Sequence, residues 1–580
     1  MSKLNVDQKT IKDLLTDKSA NFLIPDYQRP YAWEDNECQT LWDDIFSFAF
    51  PENNKDLFAP SDEYFLGAIV TYKNDKSQSE VIDGQQRLTT ILLLLRAFYD
   101  KFEYMADQTS KDMRKNISQC IWHTDEFGNA DMTNLKIDSE VATDDEKEEF
   151  LVILRSGKYD KSANSKYVLN YQFFEKKIEK FIDEYPPYFP YLPARILNNC
   201  ILLPIEADSQ DTALRIFSTL NDRGLPLADA DIFKAQFYKY YEKKGRKTEF
   251  IDNWKVLSAL TEKIFRTNNT TPMDELFTKY MYFIRASEGI RTTTTEALRK
   301  FYEYNKYNRL LKEQTIEHLL KLADFWESIV EQDSERFTEE VLQKLFVLKY
   351  APNSMWEYIT SVYYLSFMDE NGNLSNSSFV AFLSKITAFI FAYALTNPGV
   401  NALRTPMYPE MIKLIAKQTC DFKDFKFDEK HLRNVIENYK FTNNRLVTRS
   451  MITWYAFTFE GQKRPPSNKV SFDIEHIYAK ERHNKEKKLK DPEILEGLGN
   501  KILLERAINI RASDYRFEDK KKYYSGYKDS KGKVHAGSII EEYRDLIQKE
   551  DFLEENIVER GSQINNKFIE FLKDEDLINY

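Results

Sequence analysis

The residue types best suited to chemistry lie between Ser471 and Lys520. The stretch opens with an alternating strand, Ser471 to Ile477, which ends on an acid and a histidine, Glu475 and His476. A histidine can take a proton from water, and hydrolysis of a phosphodiester requires a nucleophile activated in this way. An acid together with an amide oxygen can hold a hard cation against the reacting phosphate. These residue types therefore favour metal-assisted hydrolysis of a phosphodiester.

Two asparagines follow the histidine at spacings that suit the same chemistry. Asn500 stands in a Gly-Asn pair before a second apolar run, and Asn509 comes after that run. The order acid-His, Asn, Asn is the one that a one-metal nuclease of the HNH type requires, because a second side chain must fix the tautomer of the histidine ring. A surface strand with a chance histidine is the alternative. The chain has only six histidines among its 580 residues, so we favour the nuclease.

A second candidate site is the run Asp83-Gly84-Gln85-Gln86-Arg87, between a predicted strand and a predicted helix from about Leu88 to Phe102. The pattern places Asp83 at the N-cap with Gln86 three residues later, which is close to a capping box. The free N–H groups and the positive dipole end of such a helix suit a phosphate. Arg87 could add a bidentate contact to that phosphate. A well-capped buried helix explains the same pattern equally well.

The charged residues are unevenly distributed along the chain. The net charge of −11 argues against a general nucleic-acid coat. Between Lys480 and Lys533, however, there are 16 Lys and Arg but only 10 Asp and Glu. A basic region around the proposed catalytic stretch suits a protein that admits DNA at one place. The alternative is a solvated charged face.

The composition argues against several other classes. A content of 42% hydrophobic and 30% charged residues is typical of a globular protein. No unbroken apolar run approaches the roughly 18 residues of a membrane span, and the first residues have no apolar signal core. We therefore expect a cytoplasmic protein with no membrane partner. The four cysteines are far apart and form no CxxC pair, so neither a zinc ribbon nor a disulfide framework is expected.

We expect an α+β fold that is predominantly helical. Residues 1–240 predict a mixed α/β domain, residues 241–440 a helical connecting region, and residues 441–580 a domain in which the candidate nuclease stretch is embedded in helices. Aromatic residues of the middle region recur at helical spacing, which is far more typical of a core than of stacking platforms for bases. The clearest break is Gly461 to Pro466, just before the nuclease strand.

Four blocks in the N-terminal part together resemble a known family. They are Ile24 to Trp33, Tyr64 to Gly67, Val81 to Thr90 and Phe217 to Asp231. The blocks are similar to the DGQQR domain, with a ParB/sulfiredoxin nuclease-like fold, of type IV restriction enzymes of the GmrSD kind. The usual partner of that domain in the same chain is a C-terminal HNH nuclease with a ββα-metal fold, and Asp473 to Lys520 is similar to it. The resemblance covers about the first 240 and the last 130 residues, in the expected order.

For the nuclease, the resemblance implies roles for individual residues. His476 would be the general base and Asn500 would orient it. Glu475 and Asn509 would be ligands of one Mg²⁺ or Mn²⁺, with Asp473 as a substitute ligand. Two positions depart from the family pattern, Ala479 in place of proline and Lys501 in place of leucine. We interpret both as drift at positions with no chemical role.

For the N-terminal domain, the resemblance implies a site that binds and hydrolyses a nucleoside triphosphate. The implied binding residues are Asp83, Gly84, Gln85, Gln86 and Arg87, with Gln28 and Arg29 facing them and Asn221 and Arg223 completing the site. GTP is favoured by analogy, and ATP or CTP is possible.

The resemblance as a whole implies a modification-dependent DNA endonuclease of bacterial anti-phage defence. Its substrate would be modified phage DNA, and nucleotide binding would regulate cleavage. The helical middle region would carry the coupling and a possible homodimer contact. Two alternatives stay open: an unregulated HNH nicking toxin, and a nucleotide-sensing DNA-binding regulator with an inactive HNH remnant.

Overall fold

The computed structural model describes residues 5–6, 8–141, 144–210, 212–214, 216, 228–265, 271–294, 296–399, 401–465, 470–513 and 515–579. The chain divides into two compact units, residues 1–255 and 256–580. Its architecture is α+β and predominantly helical, as the sequence predicts. The domain boundaries near residues 240 and 440 stay predictions.

The first unit contains a mixed sheet of seven strands. The strands described in this unit are β1 Asn5–Val6, β2 Lys9–Thr10, β3 Phe22–Ile24, β4 Tyr64–Lys73, β5 Ser79–Asp83, β6 Trp122–Thr124, β7 Ala130–Leu135, β8 Ile137–Ser139 and β9 Cys200–Ala207. The order in the sheet is β1-β9-β4-β5-β3-β8, with β2 also paired to β9, while β6 and β7 form a separate pair. β4 runs parallel to β9 and antiparallel to β5, and β3 runs parallel to β5 and β8.

Helices cover this sheet, and one of them forms the centre of the core. The helices are α1 Ile11–Thr16, α2 Asp35–Ala49, α3 Gln85–Phe102, α4 Gln108–Ile121, α5 Lys147–Ser156, α6 Lys166–Glu184, α7 Tyr191–Asn199, α8 Asp229–Lys243 and α9 Lys247–Ile264, which crosses the boundary between the units. α3 carries an apolar run from Ile91 to Leu95 and is buried on nearly every side. A helix that is apolar all round must be covered by protein, and α4 and α6 pack against it.

The second unit is largely helical. Its helices are α10 Pro272–Ser287, α11 Leu298–Tyr307, α12 Thr315–Glu331, α13 Glu339–Leu348, α14 Met355–Phe367, α15 Asn376–Thr396, α16 Arg404–Ile415, α17 Glu429–Asn438, α18 Leu446–Ala456, α19 Lys480–Glu486, α20 Arg506–Ala512, α21 Phe517–Ser525, α22 Glu542–Leu546 and α23 Glu554–Asp574. Its strands are β10 Phe427–Asp428, β11 Phe472–His476, β12 Lys501–Glu505, β13 Gly526–Lys528, β14 Val534–Ala536 and β15 Ile578–Asn579. They pair as β10 with β15, β11 with β12 and β13 with β14.

Helix α15 departs from the sequence expectation about apolar segments. By length and composition it is apolar enough to cross a membrane. It contains no long unbroken apolar run, because Lys385 and several Ser and Thr residues interrupt the helix. In the structure 67% of its most apolar window is buried, and it packs against α13, α17 and α18. Such burial is typical of the core helix of a globular domain.

The stretch that carries the candidate nuclease residues folds as a hairpin followed by a helix. β11 pairs antiparallel with β12, with His476 opposite Lys501 and Asp473 opposite Leu504. α20 begins directly after β12 and packs against both strands. This is the ββα arrangement that the sequence predicts for the region.

The turn before β12 is fixed by a close approach to α23. A Cβ atom on Gly499 would lie 1.9 Å from the carbonyl oxygen of Ile557, so no larger residue fits. The Arg560 guanidinium donates to the carbonyl oxygens of Leu498, Gly499 and Lys501. The glycine of the Gly-Asn pair is therefore a packing requirement, and it sets the position at which β12 begins.

Candidate functional site

His476 is the last residue of β11, and its ring shares one face of the hairpin with Lys501. The alternation of side chains along a strand places Glu475 on the opposite face. Lys501 Nζ lies 2.5 Å from His476 Nε2. Glu496 completes this cluster, because its Oε2 accepts from Lys501 at 2.7 Å and its Oε1 lies 3.7 Å from His476 Nε2.

These surroundings keep the His476 ring neutral. Burial, followed by the neighbouring charge of Lys501, lowers the pKa of His476 to about 3. Burial also lowers the pKa of Lys501 to about 8, against the opposing effect of Glu496. At neutral pH the ring therefore has one N–H and one lone pair, and the ammonium beside it keeps its charge.

Glu475, predicted as a metal ligand, is held inside the protein. Its Oε1 accepts from Lys520 Nζ at 2.5 Å and from the Tyr524 hydroxyl at 3.0 Å. Lys520 and Tyr524 are four residues apart on α21, so both point to the same side of that helix. Burial raises the pKa of Glu475, and the ion pair with Lys520 opposes this. The Glu475 carboxylate is therefore engaged in an internal ion pair with Lys520 in this structure.

Asp473 is the acid that the fold brings beside Asn509. Asn509 lies on α20, and its Nδ2 is 3.5 Å from Asp473 Oδ2. Asp473 is half-buried, and Arg449 approaches its Oδ1 to 3.8 Å. The structure thus places the substitute ligand, rather than Glu475, next to the predicted amide ligand.

Asn500 is fully buried and holds the chain that follows the histidine. Its Oδ1 accepts from the backbone N–H of Tyr478 at 2.8 Å, and its Nδ2 donates to the carbonyl oxygens of Tyr478 and Leu495 at 3.1 Å. Tyr478 is two residues beyond His476, so Asn500 fixes the exit from β11. The direct contact to the ring comes from the next residue, Lys501. An orienting role for Asn500 stays a prediction.

The second candidate site lies at the junction of β5 and α3. Gly84, with a φ of +87°, is the N-cap of α3, and Asp83 is the last residue of β5. The Oδ1 of Asp83 accepts from the N–H of Gly84 at 2.7 Å. The predicted N-cap at Asp83 is therefore wrong, because the left-handed turn at glycine starts the helix one residue later.

Three glutamines tie a distant loop to this junction. Gln86 accepts from the N–H of Ala32 at 2.7 Å and donates to the carbonyl oxygen of Pro30 at 3.1 Å. Gln85 donates to the carbonyl of Arg29, and Gln28 donates to carbonyls at the end of β5. The capping-box role predicted for Gln86 is therefore wrong. The structure does bring the Gln28–Arg29 block against the DGQQR run.

Arg87 faces β4 and a neighbouring cleft. Its Nη1 donates to the carbonyl oxygen of Ala68 at 3.1 Å, and its guanidinium lies against Gly67. Burial lowers the pKa of Arg87, and burial raises the pKa of Asp83. The cleft has a volume of about 320 Å³, and Trp33 and Phe65 line it with Arg87. The predicted nucleotide residues Asn221 and Arg223 lie outside the described residues.

Models of known protein families match the two regions of the chain that contain the candidate sites. Residues 11–238 match the family model described as "GmrSD restriction endonuclease, N-terminal domain". Residues 421–566 match the model described as "GmrSD restriction endonucleases, C-terminal domain". The chain belongs to the GmrSD restriction endonuclease family. A comparison with curated proteins found no match. Membership of the GmrSD family supports a restriction endonuclease with DNA as its substrate.

A nuclease family such as GmrSD generally implies the use of a divalent metal ion. Among the described residues, no group of three or more His, Cys, Asp or Glu side chains could hold a metal. Mg²⁺ is often bound by one or two carboxylates, with the remaining ligands supplied by water and substrate phosphates. The Asp473 carboxylate and the Asn509 amide fit that smaller set. The originally predicted pair, Glu475 and Asn509, would require Lys520 to leave Glu475.

Sequence reasoning missed the two lysines that contact the predicted general base and a predicted metal ligand. Lys520 ends the stretch that resembles the family nuclease, and its place in that stretch was the available signal. Lys501 was interpreted as drift, yet it contacts the His476 ring. The contact between Lys501 and His476 depends on the register of β11 and β12, which a long connection separates in sequence, so the tertiary fold sets it.

Proposed function

We propose that this chain is a metal-dependent endonuclease of cytoplasmic anti-phage defence that cuts modified foreign DNA under the control of a nucleoside triphosphate. His476 acts as the general base, and Asp473 and Asn509 hold one Mg²⁺ or Mn²⁺. The observation that carries the proposal is the ββα arrangement, in which β11 carries a neutral histidine on one face and, on the other, an acid that pairs with the Asn509 amide of α20. When bound, such an ion neutralises and orients the scissile phosphate.

Exposed cations around the hairpin support DNA as the ligand of this unit. Lys485 and Arg516 each expose 69% of their side chains. Both pair with nearby glutamates, but exposed ion pairs are worth only about 0–1 kcal/mol. DNA phosphates can therefore replace the glutamates at little cost, and each such contact makes binding more sensitive to salt.

The β5–α3 junction supports a nucleotide as the regulating ligand. α3 is an 18-residue helix, and the side chain of its first residue, Gln85, donates to the backbone carbonyl oxygen of Arg29. Arg29 is exposed and carries a positive charge, which suits a phosphate at a helix N-terminus. Phe65, 57% exposed, and Trp33 line the adjacent cleft, and aromatic faces of this kind are platforms for a base. GTP is proposed first and ATP or CTP as substitutes.

One observation favours a second candidate, a DNA-binding regulator without nuclease activity. The predicted general base and one predicted metal ligand are engaged by lysines, His476 by Lys501 and Glu475 by Lys520. A nuclease remnant that only binds DNA would tolerate such contacts permanently. Metal-dependent cleavage separates the two functions.

The test is digestion of three phage DNAs: unmodified, glucosyl-hydroxymethylated and phosphorothioated. Each is incubated with the full-length chain and Mg²⁺, with and without GTP, ATP or CTP, and with EDTA as the metal control. The proposal predicts cleavage of a modified DNA that requires Mg²⁺ and changes with one nucleotide. Binding of DNA without cleavage in every condition would favour the regulator, and cleavage of all three DNAs regardless of nucleotide would favour an unregulated nuclease.

A further inference from the structure

We propose that Lys501 restrains the nuclease by occupying the lone pair of His476 Nε2, so that the base is withheld until this ammonium moves away. The inference rests on the proposed role of His476 as the general base. It concerns a residue that sequence reasoning treated as drift.

The Lys501 ammonium has an acceptor for each of its three donors. A lysine ammonium has three donors and no acceptor. Lys501 Nζ has three acceptors around it: Asn443 Oδ1 at 2.9 Å, Glu496 Oε2 at 2.7 Å and His476 Nε2 at 2.5 Å. The side chain of Lys501 is fully buried. Each donor therefore has one acceptor, and the arrangement leaves no donor for water.

The contact with Lys501 fixes the tautomer of the His476 ring. Because the ammonium can only donate, Nε2 must present its lone pair to Lys501, and the proton of the neutral ring must lie on Nδ1. Neither nitrogen can then take a proton from water, because Nδ1 already carries one and the lone pair on Nε2 is occupied. In this arrangement His476 has the tautomer of a general base but cannot act as one.

The Lys501 ammonium can move away from the ring without losing its ion pair with Glu496. Glu496 already accepts from Lys501 and also pairs with Lys480. A small movement of Lys501 toward Glu496 would release Nε2 and leave the ammonium paired. The restraint is therefore reversible without leaving a buried charge alone, which would be costly.

The test measures the availability of the Nε2 lone pair by diethylpyrocarbonate, which acylates an unprotonated, accessible imidazole nitrogen. Modification of each histidine is followed over time by peptide mass spectrometry. The variant is Lys501→Met, which removes the ammonium, preserves most of the side-chain volume and leaves Glu496 paired with Lys480. The matched control is Lys480→Met, which removes a positive charge from Glu496 without touching the ring.

Loss of a charge-assisted hydrogen bond should raise the modification rate of His476 by about tenfold or more in Lys501→Met. Lys480→Met should leave that rate close to wild type. Nicking of a susceptible plasmid in Mg²⁺ should increase in Lys501→Met. If Lys501→Met does not fold, Lys501→Leu is the second variant, because it retains a buried apolar stem at the same position.

An unchanged modification rate of His476 in the folded Lys501 variants would overturn the proposed contact. Faster modification together with lost nicking would overturn the restraint, because Lys501 would then assist catalysis. If the wild-type chain and the variants all fail to cleave DNA, the proposed function fails, while the modification rates still decide the contact between Lys501 and His476.

Discussion

Replacing Arg560 with alanine tests whether a buried charge holds the turn before β12. The guanidinium donates to three carbonyl oxygens over 2.7 to 3.2 Å and pairs with Glu542 at 2.6 Å. The side chains of Arg560 and Glu542 are only 8% and 7% exposed. Breaking such a buried pair by removing one partner costs about 3–5 kcal/mol, and each carbonyl left without a donor adds about 1–3 kcal/mol unless water reaches it. We therefore expect a loss of at least about 4 kcal/mol, a large part of the roughly 5–15 kcal/mol that stabilises a domain.

The assay is urea unfolding of the full-length chain, followed by tryptophan fluorescence. Arg544→Ala is the matched control. Arg544 lies on α22, the helix that also carries Glu542, and it pairs with Glu541 at 2.7 Å, but its side chain is 80% exposed. An exposed pair of this kind should change the free energy of unfolding by no more than about 0.5–1 kcal/mol. The reasoning is refuted if Arg560→Ala lowers the unfolding midpoint no more than Arg544→Ala does.

Three substitutions at other contacts have expected outcomes. Gly499→Ala should destabilise the second unit by about 3 kcal/mol or more, since the added Cβ would lie 1.9 Å from the carbonyl oxygen of Ile557; an unchanged unfolding midpoint in urea would contradict this. Asp473→Asn should raise the Mg²⁺ concentration needed for half-maximal nicking without lowering the unfolding midpoint, because Asp473 is half-buried and contacts Asn509 only at 3.5 Å; an unchanged Mg²⁺ dependence would remove Asp473 from the metal site. Arg87→Ala should weaken nucleotide binding in calorimetry, because it removes the proposed donor to the phosphate. It should also change nicking, since a regulating nucleotide must bind one conformation better than the other. Lost affinity with wild-type nicking under every nucleotide condition would mean that the two sites are not coupled.

The local elements around the nuclease residues could be predicted from the sequence. The alternation from Phe472 to His476 and the apolar run from Ile502 to Leu504 each indicate a strand, and both are strands in the structure. The Gly-Asn pair stood out in the sequence before the second apolar run, but the reason for glycine lies in α23, more than 50 residues later. Long-range packing of this kind leaves no periodic signal in the sequence.

The side-chain partners could be predicted much less well. Gln86 has the spacing of a capping residue, yet it hydrogen-bonds to a loop 54 residues away. Glu475 has the position of a metal ligand, yet it pairs with Lys520, 45 residues along the chain. In both cases a long polar side chain reaches a partner that only the tertiary fold brings close. One signal was available in advance: side chains alternate along a strand, so Asp473 and Glu475 share one face of β11 and His476 lies on the other.

The central claim, that His476 is the general base of a metal-dependent nuclease, is tested most directly by nicking of a susceptible plasmid in Mg²⁺ by wild type and His476→Ala. The control is His431→Ala, which removes an exposed histidine on α17. Loss of a general base typically costs about 10²–10⁴-fold in rate, so His476→Ala should nick at least about 100-fold more slowly than wild type while unfolding at the same urea concentration. The control variant should nick at the wild-type rate, and EDTA should stop all three proteins. Undiminished nicking by His476→Ala would contradict the account.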